Sequence, residues 1–246
     1  QTACRNQEAA NRLFHGFEVI LRAPEDIELA KLDVDTSFQD YVVEKVLERN
    51  KWDDMLIVSD MTGSMAPYIG QLFLWLKLNT LDDRIKQFVF FNDGDTQLNE
   101  AKAIGATGGI YETRSKTYAA VEELAVRCMM SGDGGDLEEN DIEALLAGMA
   151  LCPDCAEHIL IADNNSPMRD YELLKQINKP IRIIICGVQH KVNIEYLNLA
   201  RQTGGSVHLI ERDLYHLTKI NEGETLEIGE QKFIIRQNKF VEVKKI

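Results

Sequence analysis

Three oxygen-bearing side chains follow one short apolar run of the sequence at two-residue spacing. Asp60 comes just after residues 55–58, and Thr62 and Ser64 come next. An apolar run this short is typical of a buried strand, and in a near-extended turn residues two apart can point the same way. One carboxylate and two hydroxyls without His or Cys suit Mg2+, Mn2+ or Ca2+ rather than zinc. The spacing therefore predicts a divalent-cation site.

An apolar helical pattern begins directly after these residues. Tyr68, Ile69 and Leu72 belong to it, and Ser64 stands where an N-cap belongs. A strand-to-helix turn in an open α/β sheet lies at the carboxyl edge of the sheet, where such folds bind ligands. The three oxygen ligands are therefore expected at that edge.

Two further acidic loops are expected at the same edge. Residues 131–141 combine three glycines with several acids, and glycines let a loop fold tightly enough to bring a carboxylate inward. Asp163 ends another apolar run, as Asp60 does. Each loop could add a carboxylate to the cation site.

Taken in chain order, these three acidic motifs resemble those of the von Willebrand factor type A (VWA) family. The segment Asp60-Met-Thr62-Gly-Ser64 is similar to the family's metal-ion-dependent adhesion site, Asp-x-Ser/Thr-x-Ser. The sequence Gly-Gly-Asp-x-x-Glu at residues 134–139 and the strand-end Asp163 follow in the family's order. The resemblance covers roughly residues 53–212.

The middle loop departs from the family pattern at one position. Many members read Gly-Gly-Asp-x-Pro-Glu, so Asp136 and Glu139 occupy the matching places, and Glu138 replaces the proline. In members related to integrin β chains, the acid corresponding to Glu139 is the metal ligand. The sequence leaves open which of the three acids faces the cation.

The resemblance implies a metal-dependent, non-enzymatic interaction module. The cation is expected to be Mg2+, with Mn2+ or Ca2+ as alternatives, and it would accept an exposed Asp or Glu of a protein partner at an open coordination position. The expected ligands are Asp60, Thr62, Ser64, Asp136, Glu139 and Asp163.

Two alternative functions are considered beside this one. The chain could be an assembly component that has a VWA fold and does not use the metal. It could also be a phosphohydrolase, because a strand-end Asp-x-Thr is similar to the nucleophile motif of haloacid-dehalogenase-type phosphatases. Thr62 stands where those enzymes usually carry a second Asp, and no Gly-rich phosphate loop with Lys is visible. The Asn-Asp-Gly-Asp segment with Asp93 and Asp95 could form a second acidic site, but a solvated turn is predicted instead.

Cys152-Pro-Asp-Cys155 is a CxxC motif that allows three interpretations. It could form a disulfide, a redox pair or half of a zinc site. A disulfide is expected if the protein is exported, and two thiols are expected if it is not. The first residue is Gln, which would fit a cleaved signal peptide and a periplasmic or extracellular location; otherwise a cytoplasmic location is expected.

The composition and the apolar periodicity of the sequence predict the overall architecture. The net charge of −13 over 246 residues argues against a nucleic-acid partner, and no apolar run approaches the roughly 20 residues of a membrane span. Alternating strand and helix patterns predict a Rossmann-like open, mostly parallel sheet flanked by helices, at residues 53–212. An N-terminal extension, residues 1–52, precedes it, and an antiparallel β meander, residues 213–246, follows.

The predicted elements can be stated individually. The sheet strands are expected at residues 55–59, 87–91, 110–113, 158–162, 182–187 and 206–210. Helices are expected at residues 37–52, 65–81, 116–130, 140–151, 168–177 and 194–203, and any structure in residues 1–14 is expected to be helical.

Overall fold

The computed structural model describes residues 40–79, 83–115, 117–132 and 137–243, together with the backbone of three strands between residues 5 and 21. The strands are β1 (Arg5–Asn6), β2 (Ala9–Phe14), β3 (Phe17–Leu21), β4 (Met55–Asp60), β5 (Ile85–Phe91), β6 (Ile110–Thr113), β7 (Glu157–Asp163), β8 (Ile181–Cys186), β9 (Ser206–His208), β10 (Asp213–Leu214), β11 (Thr225–Ile228), β12 (Gln231–Arg236) and β13 (Lys239–Glu242). The α-helices are α1 (Val42–Arg49), α2 (Ala66–Leu78), α3 (Tyr118–Ser131), α4 (Asp141–Leu151) and α5 (Ile194–Thr203).

The predicted mostly parallel sheet is confirmed. It has seven strands in the order β10-β9-β8-β7-β4-β5-β6, and only the two edge strands, β6 and β10, run antiparallel to their neighbours. The strand β4 lies in the middle, between β7 and β5. The carboxyl ends of β4, β5 and β7 therefore meet at one edge, where Asp60 and Asp163 end their strands.

Helices cover both faces of the sheet because its central strands are apolar on both faces. Leu56 and Val58 of β4 contribute to the core shared with α4 and α5, whereas Met55 and Ile57 contribute to the core shared with α1, α2 and α3. All six residues of β4 are buried. Near-continuous apolar strands of this kind are the signature of a parallel sheet with helices on either side.

The predicted C-terminal antiparallel meander is also confirmed, as the sheet β11-β12-β13. Its buried side chains, including Phe233 and Phe240, belong to the same core as α5. Two side-chain amides attach it to its surroundings. The Asn198 amide accepts a hydrogen bond from Phe240 N at 2.7 Å and donates one to Phe240 O at 3.2 Å. The Gln231 amide likewise accepts a hydrogen bond from Val192 N at 2.5 Å and donates one to Val192 O at 3.3 Å.

Two of the predicted helices are wrong. Residues 5–6 and 9–14 form the antiparallel strands β1 and β2, not a helix. The predicted helix at 168–177 is reduced to a 3₁₀ helix at Tyr171–Gln176. The backbone N–H groups of Met168 and Arg169 bond to other segments, to Glu195 Oε2 and Glu139 O, so the chain before residue 171 is not free to coil.

A pair of adjacent glycines after α5 provides a test of this packing. Gly204 adopts φ +71°, and a Cβ there would meet nothing within 4 Å, whereas a Cβ on Gly205 would lie 1.9 Å from the backbone oxygen of Ile181. We expect Gly204→Ala to cost about 1 kcal/mol through backbone strain alone. Gly205→Ala should cost about 3 kcal/mol or more, because strand β8 would have to move. Equal losses of unfolding free energy in chemical denaturation would contradict the close approach at Gly205.

Candidate functional site

Asp60 is fully buried at the carboxyl end of β4 and is held in place by the turn that follows it. Its Oδ1 accepts a hydrogen bond from the Thr62 backbone N–H at 2.7 Å. Its Oδ2 is buried and has no hydrogen-bond partner. Burial raises the pKa of Asp60 well above its usual value, and the charges of Asp93 and Asp163 raise it further. The carboxyl group is therefore poorly compensated by the protein.

The two hydroxyls lie above Asp60, on the solvent side. Thr62 Oγ1 and Ser64 Oγ are 3.3 Å apart, and Ser64 is exposed. The predicted N-cap role of Ser64 is wrong, because α2 begins at Ala66 after a 3₁₀ turn at Gly63–Met65 and Ser64 makes no capping hydrogen bond. Pro67, in the first turn of α2, favours the helix start instead. The Ser64 hydroxyl thus lies beside Thr62, at the open side of the site.

Of the middle-loop acids, Glu139 is the one that lies at the site. Its side chain is buried, its Oε1 accepts a hydrogen bond from Thr62 Oγ1 at 3.5 Å, and its Oε2 has no partner. Glu138 is directed outward, with 55% of its side chain exposed and an ion pair to Arg169 at 3.8 Å. Asp136 lies outside the described residues. Burial is the main cause that raises the pKa of Glu139, followed by the charge of Asp60.

A backbone bridge fixes the position of Glu139. Its N–H donates to Pro167 O at 2.9 Å, and its carbonyl accepts from the Arg169 N–H at 2.8 Å. These bonds make a parallel bridge between Glu139 and Met168. The middle loop is thus tied to the loop that follows β7, which is the loop that begins with Asp163.

Asp163 ends β7 in an arrangement similar to that of Asp60. It is buried, and its Oδ1 accepts hydrogen bonds from the backbone and side-chain nitrogens of Asn165 at 3.1 and 3.0 Å. Its carbonyl oxygen accepts a hydrogen bond from the Tyr196 hydroxyl at 2.9 Å. Both side-chain bonds go to Oδ1, so the arrangement orients the carboxylate.

Asp93 belongs to the same cluster, contrary to the prediction of a solvated turn. It is 5% exposed, its Oδ1 accepts a hydrogen bond from Asn140 N at 3.2 Å, and its charge is among the causes that raise the pKa of Glu139. Burial raises the pKa of Asp93. The sequence did carry a signal, because Asp93 closely follows the apolar strand β5, which adjoins β4 at this edge.

These residues carry oxygen donors of the kind that a hard cation prefers. Asp60 Oδ2 and Glu139 Oε2 are buried carboxyl oxygens without partners, which is costly unless a positive charge or a proton compensates them. The neighbouring donors are hydroxyls, which are oxygen ligands as well. Among the described residues, no group of three or more His, Cys, Asp or Glu side chains is arranged to hold a metal ion. Any cation here would therefore depend on the hydroxyls of Thr62 and Ser64.

A second polar cluster places Ser206, His208 and Asp213 in one hydrogen-bonded chain. Ser206 Oγ is 2.7 Å from His208 Nε2, and His208 Nδ1 is 2.7 Å from Asp213 Oδ1. Ser206 and His208 are fully buried, so no substrate can reach the hydroxyl. Arg49 of α1 donates to both Asp213 oxygens at 3.1 Å and to Ile210 O at 2.8 Å. The cluster therefore joins α1 to the edge of the sheet rather than forming a hydrolase site.

Cys152 and Cys155 form a disulfide with an S–S distance of 2.06 Å, which is one of the three possibilities that the motif left open. Both residues are buried, between the end of α4 and the start of β7. They lie at the amino end of β7, whereas Asp163 lies at its carboxyl end. The pair is therefore separate from the acidic cluster.

Comparisons with known proteins do not assign the chain to a family. It matches no family model, no curated protein and no solved structure. In the described part of the chain, no helix has the length and apolar character needed to cross a membrane. A function for the chain can therefore be inferred only from the geometry of its own residues, above all those of the acidic cluster.

The His208 cluster predicts a pH dependence of stability. Burial lowers the pKa of His208 from 6.5 to about 4, against the opposing effect of Asp213. The unfolded chain then binds a proton between these pH values that the folded chain does not, so the free energy of unfolding falls as the pH drops from 6.5 towards 4. The full contribution is about 3 kcal/mol. Chemical denaturation at several pH values measures this dependence. The free energy of unfolding of His208→Gln should fall less between pH 6.5 and pH 4 than that of the wild type. An equal fall in the two proteins would contradict the prediction.

Proposed function

We propose that the chain is a VWA-type interaction domain that binds a hard divalent cation, with Mg2+ as the first candidate. The proposed ligands, directly or through water, are Asp60, Thr62, Ser64, Glu139 and Asp163. The observation that carries the proposal is the pair of buried carboxyl oxygens without partners, Asp60 Oδ2 and Glu139 Oε2, beside two hydroxyls. Once bound, the cation would supply a position that accepts a carboxylate of a protein partner.

The protein groups around the site orient its ligands. The Thr62 N–H fixes one oxygen of Asp60, and Asn165 fixes one oxygen of Asp163. In each case the other oxygen, Oδ2, can bind elsewhere. Outer hydrogen bonds of this kind are typical of metal ligands and set their direction.

The burial pattern supports approach of a partner from one side. Asp60, Glu139 and Asp163 are buried, whereas Ser64 is exposed and Thr62 is half-buried. A partner carboxylate would therefore arrive over the hydroxyls. Hydroxyl ligands carry no negative charge, so they neutralise less of the cation's charge than carboxylate ligands would. The cation would therefore still attract an anionic side chain on this side.

The disulfide between Cys152 and Cys155 supports one further part of the proposal. Disulfides persist in oxidising compartments and are rare in the cytosol. We therefore include a location outside the cytoplasm, where an adhesion-type contact with another protein would be made.

Cation binding can be tested with chelator-stripped protein by calorimetric titration of Mg2+, Mn2+ and Ca2+. We expect Asp60→Asn and Thr62→Ala each to weaken binding at this site by about tenfold or more, since each removes a ligand or its charge. Glu138→Gln is the matched control, because this acid lies in the same loop but is directed outward. Unchanged affinity in Thr62→Ala would contradict the proposed ligand set.

Partner chemistry can be tested with displayed peptides that carry a central Asp or Glu, matched to the same peptides with Asn or Gln. Acidic peptides should be enriched in Mg2+, and the enrichment should be lost with EDTA and in Thr62→Ala. If acidic and amide peptides bind equally and EDTA has no effect, the carboxylate mechanism is wrong. An assembly component with an unused metal site would then be the better interpretation.

A further inference from the structure

The loop after β7, which holds Glu139 at the candidate site, is itself held by the start of α5. Three alternate residues of this loop are buried, Asn164, Ser166 and Met168. Each of them is hydrogen-bonded to Asn193 or Glu195. The start of α5 therefore contacts the loop at three points before the loop reaches Glu139.

Asn193, the N-cap of α5, binds two of the three residues. Its backbone N–H donates to Asn164 Oδ1 at 2.8 Å, and its Nδ2 donates to Ser166 O at 2.9 Å. Its Oδ1 accepts a hydrogen bond from Glu195 N at 3.0 Å, which is the usual bond of an Asn at a helix N-cap. Asn193 therefore joins the loop to the helix while it caps the helix.

Glu195, in the first turn of α5, binds the third residue. Its Oε2 accepts a hydrogen bond from the Met168 backbone N–H at 2.8 Å. Met168 makes the parallel bridge with Glu139. The two neighbours of Met168, Pro167 and Arg169, make the backbone hydrogen bonds to Glu139. One carboxylate thus holds the residue at the centre of the contact that places Glu139.

The helix α5 is in turn held by the meander. Gln231 binds the backbone of Val192 through two hydrogen bonds, and Asn198 binds the backbone of Phe240 in the same way. Gln231 and Asn198 are both buried. The start of α5 is therefore a fixed support for the loop.

An acid in the first turn of a helix could instead serve only the helix, because the helix dipole favours a negative charge there. The two roles of Glu195 need different chemistry. The dipole requires the charge of the carboxylate, whereas the Met168 N–H requires only an oxygen acceptor, which a glutamine side chain also has. Glutamine at this position therefore distinguishes the two roles.

We propose that Glu195 is a positioning residue of the cation site and sets the place of Glu139 through Met168. This inference rests on the proposed function, because it takes Glu139 as a ligand. Without the Glu195 carboxylate, the backbone N–H of the buried Met168 would lose its partner, and the loop would shift to satisfy it. Glu139 would follow the loop. The affinity for the cation would then fall although every ligand was still present.

The first test compares the Mg2+ affinity of the full chain in the wild type, Glu195→Ala and Glu195→Gln, by calorimetric titration after chelation. Glu195→Ala should weaken binding by about tenfold, as the loss of outer hydrogen bonds at metal sites commonly does. Glu195→Gln should keep most of the affinity. Glu224→Ala is the matched control, because Glu224 also accepts a backbone N–H, from Asn221 at 2.7 Å, but lies just before β11; its affinity should equal that of the wild type.

The second test follows the position of Glu139 without any cation. The Glu139 and Arg169 amides both donate hydrogen bonds in the contact between the two loops. Their hydrogen exchange in the metal-free protein, measured by NMR, should be faster in Glu195→Ala than in the wild type and close to the wild type in Glu195→Gln. Glu195 is only partly buried, so its truncation leaves no large cavity that would unfold the chain.

The outcomes separate this inference from the proposed function. Equal Mg2+ affinity in the wild type and Glu195→Ala would overturn the inference and leave the proposed function in place. Equal losses in the alanine and glutamine variants would also overturn it, because charge and not the hydrogen bond would then be the cause. If the wild type binds no Mg2+, Mn2+ or Ca2+, the proposed function is wrong, and amide exchange alone decides whether Glu195 holds Glu139 in place.

Discussion

The structure depends on one costly arrangement, the burial of several carboxyl groups at the same edge of a sheet. After the larger effect of burial, the charge of Asp93 raises the pKa of Asp60, and the charges of Asp60 and Asp93 raise the pKa of Glu139. Like charges in a medium of low dielectric constant repel each other strongly. A stable fold would not retain such a cluster without a proton or a cation to balance it. The surrounding elements keep these groups together in spite of that repulsion.

The parallel sheet brings the acids together because neighbouring strands end at the same level. The strands β4, β5 and β7 are adjacent, and an acid stands at or just after each carboxyl end. The Glu139–Met168 bridge then adds a fourth segment to the edge. Away from this edge, the buried Ser206-His208-Asp213 chain shows that three residues with hydrolase-like hydrogen bonds can serve only to attach a helix.

Much of the fold could be predicted because apolar periodicity marks buried strands and amphipathic helices directly. Asp60 and Asp163 could be placed at the site because each follows an apolar strand. The orientation of Glu139 could not be read from the sequence, since it depends on backbone bonds to residues 167–169. The same backbone bonds explain why the apolar pattern at residues 168–177 did not give the predicted α-helix. The role of Asp93 was missed because Asn-Asp-Gly-Asp is also a typical turn sequence.

The side-chain amides that attach the meander have a consequence for how the chain tolerates change. Asn198 and Gln231 pair with backbone groups of Phe240 and Val192 as a neighbouring strand would. Such bonds specify one alignment, because a shift by one residue would present the amides with groups that point the other way. These contacts therefore help to set the alignment of the meander. The segment at residues 221–224 belongs to the same set of contacts, because Gly223 N donates to Ile235 O at 3.0 Å and Ile235 N donates to Glu224 O at 3.0 Å, so a longer turn there would disturb β12.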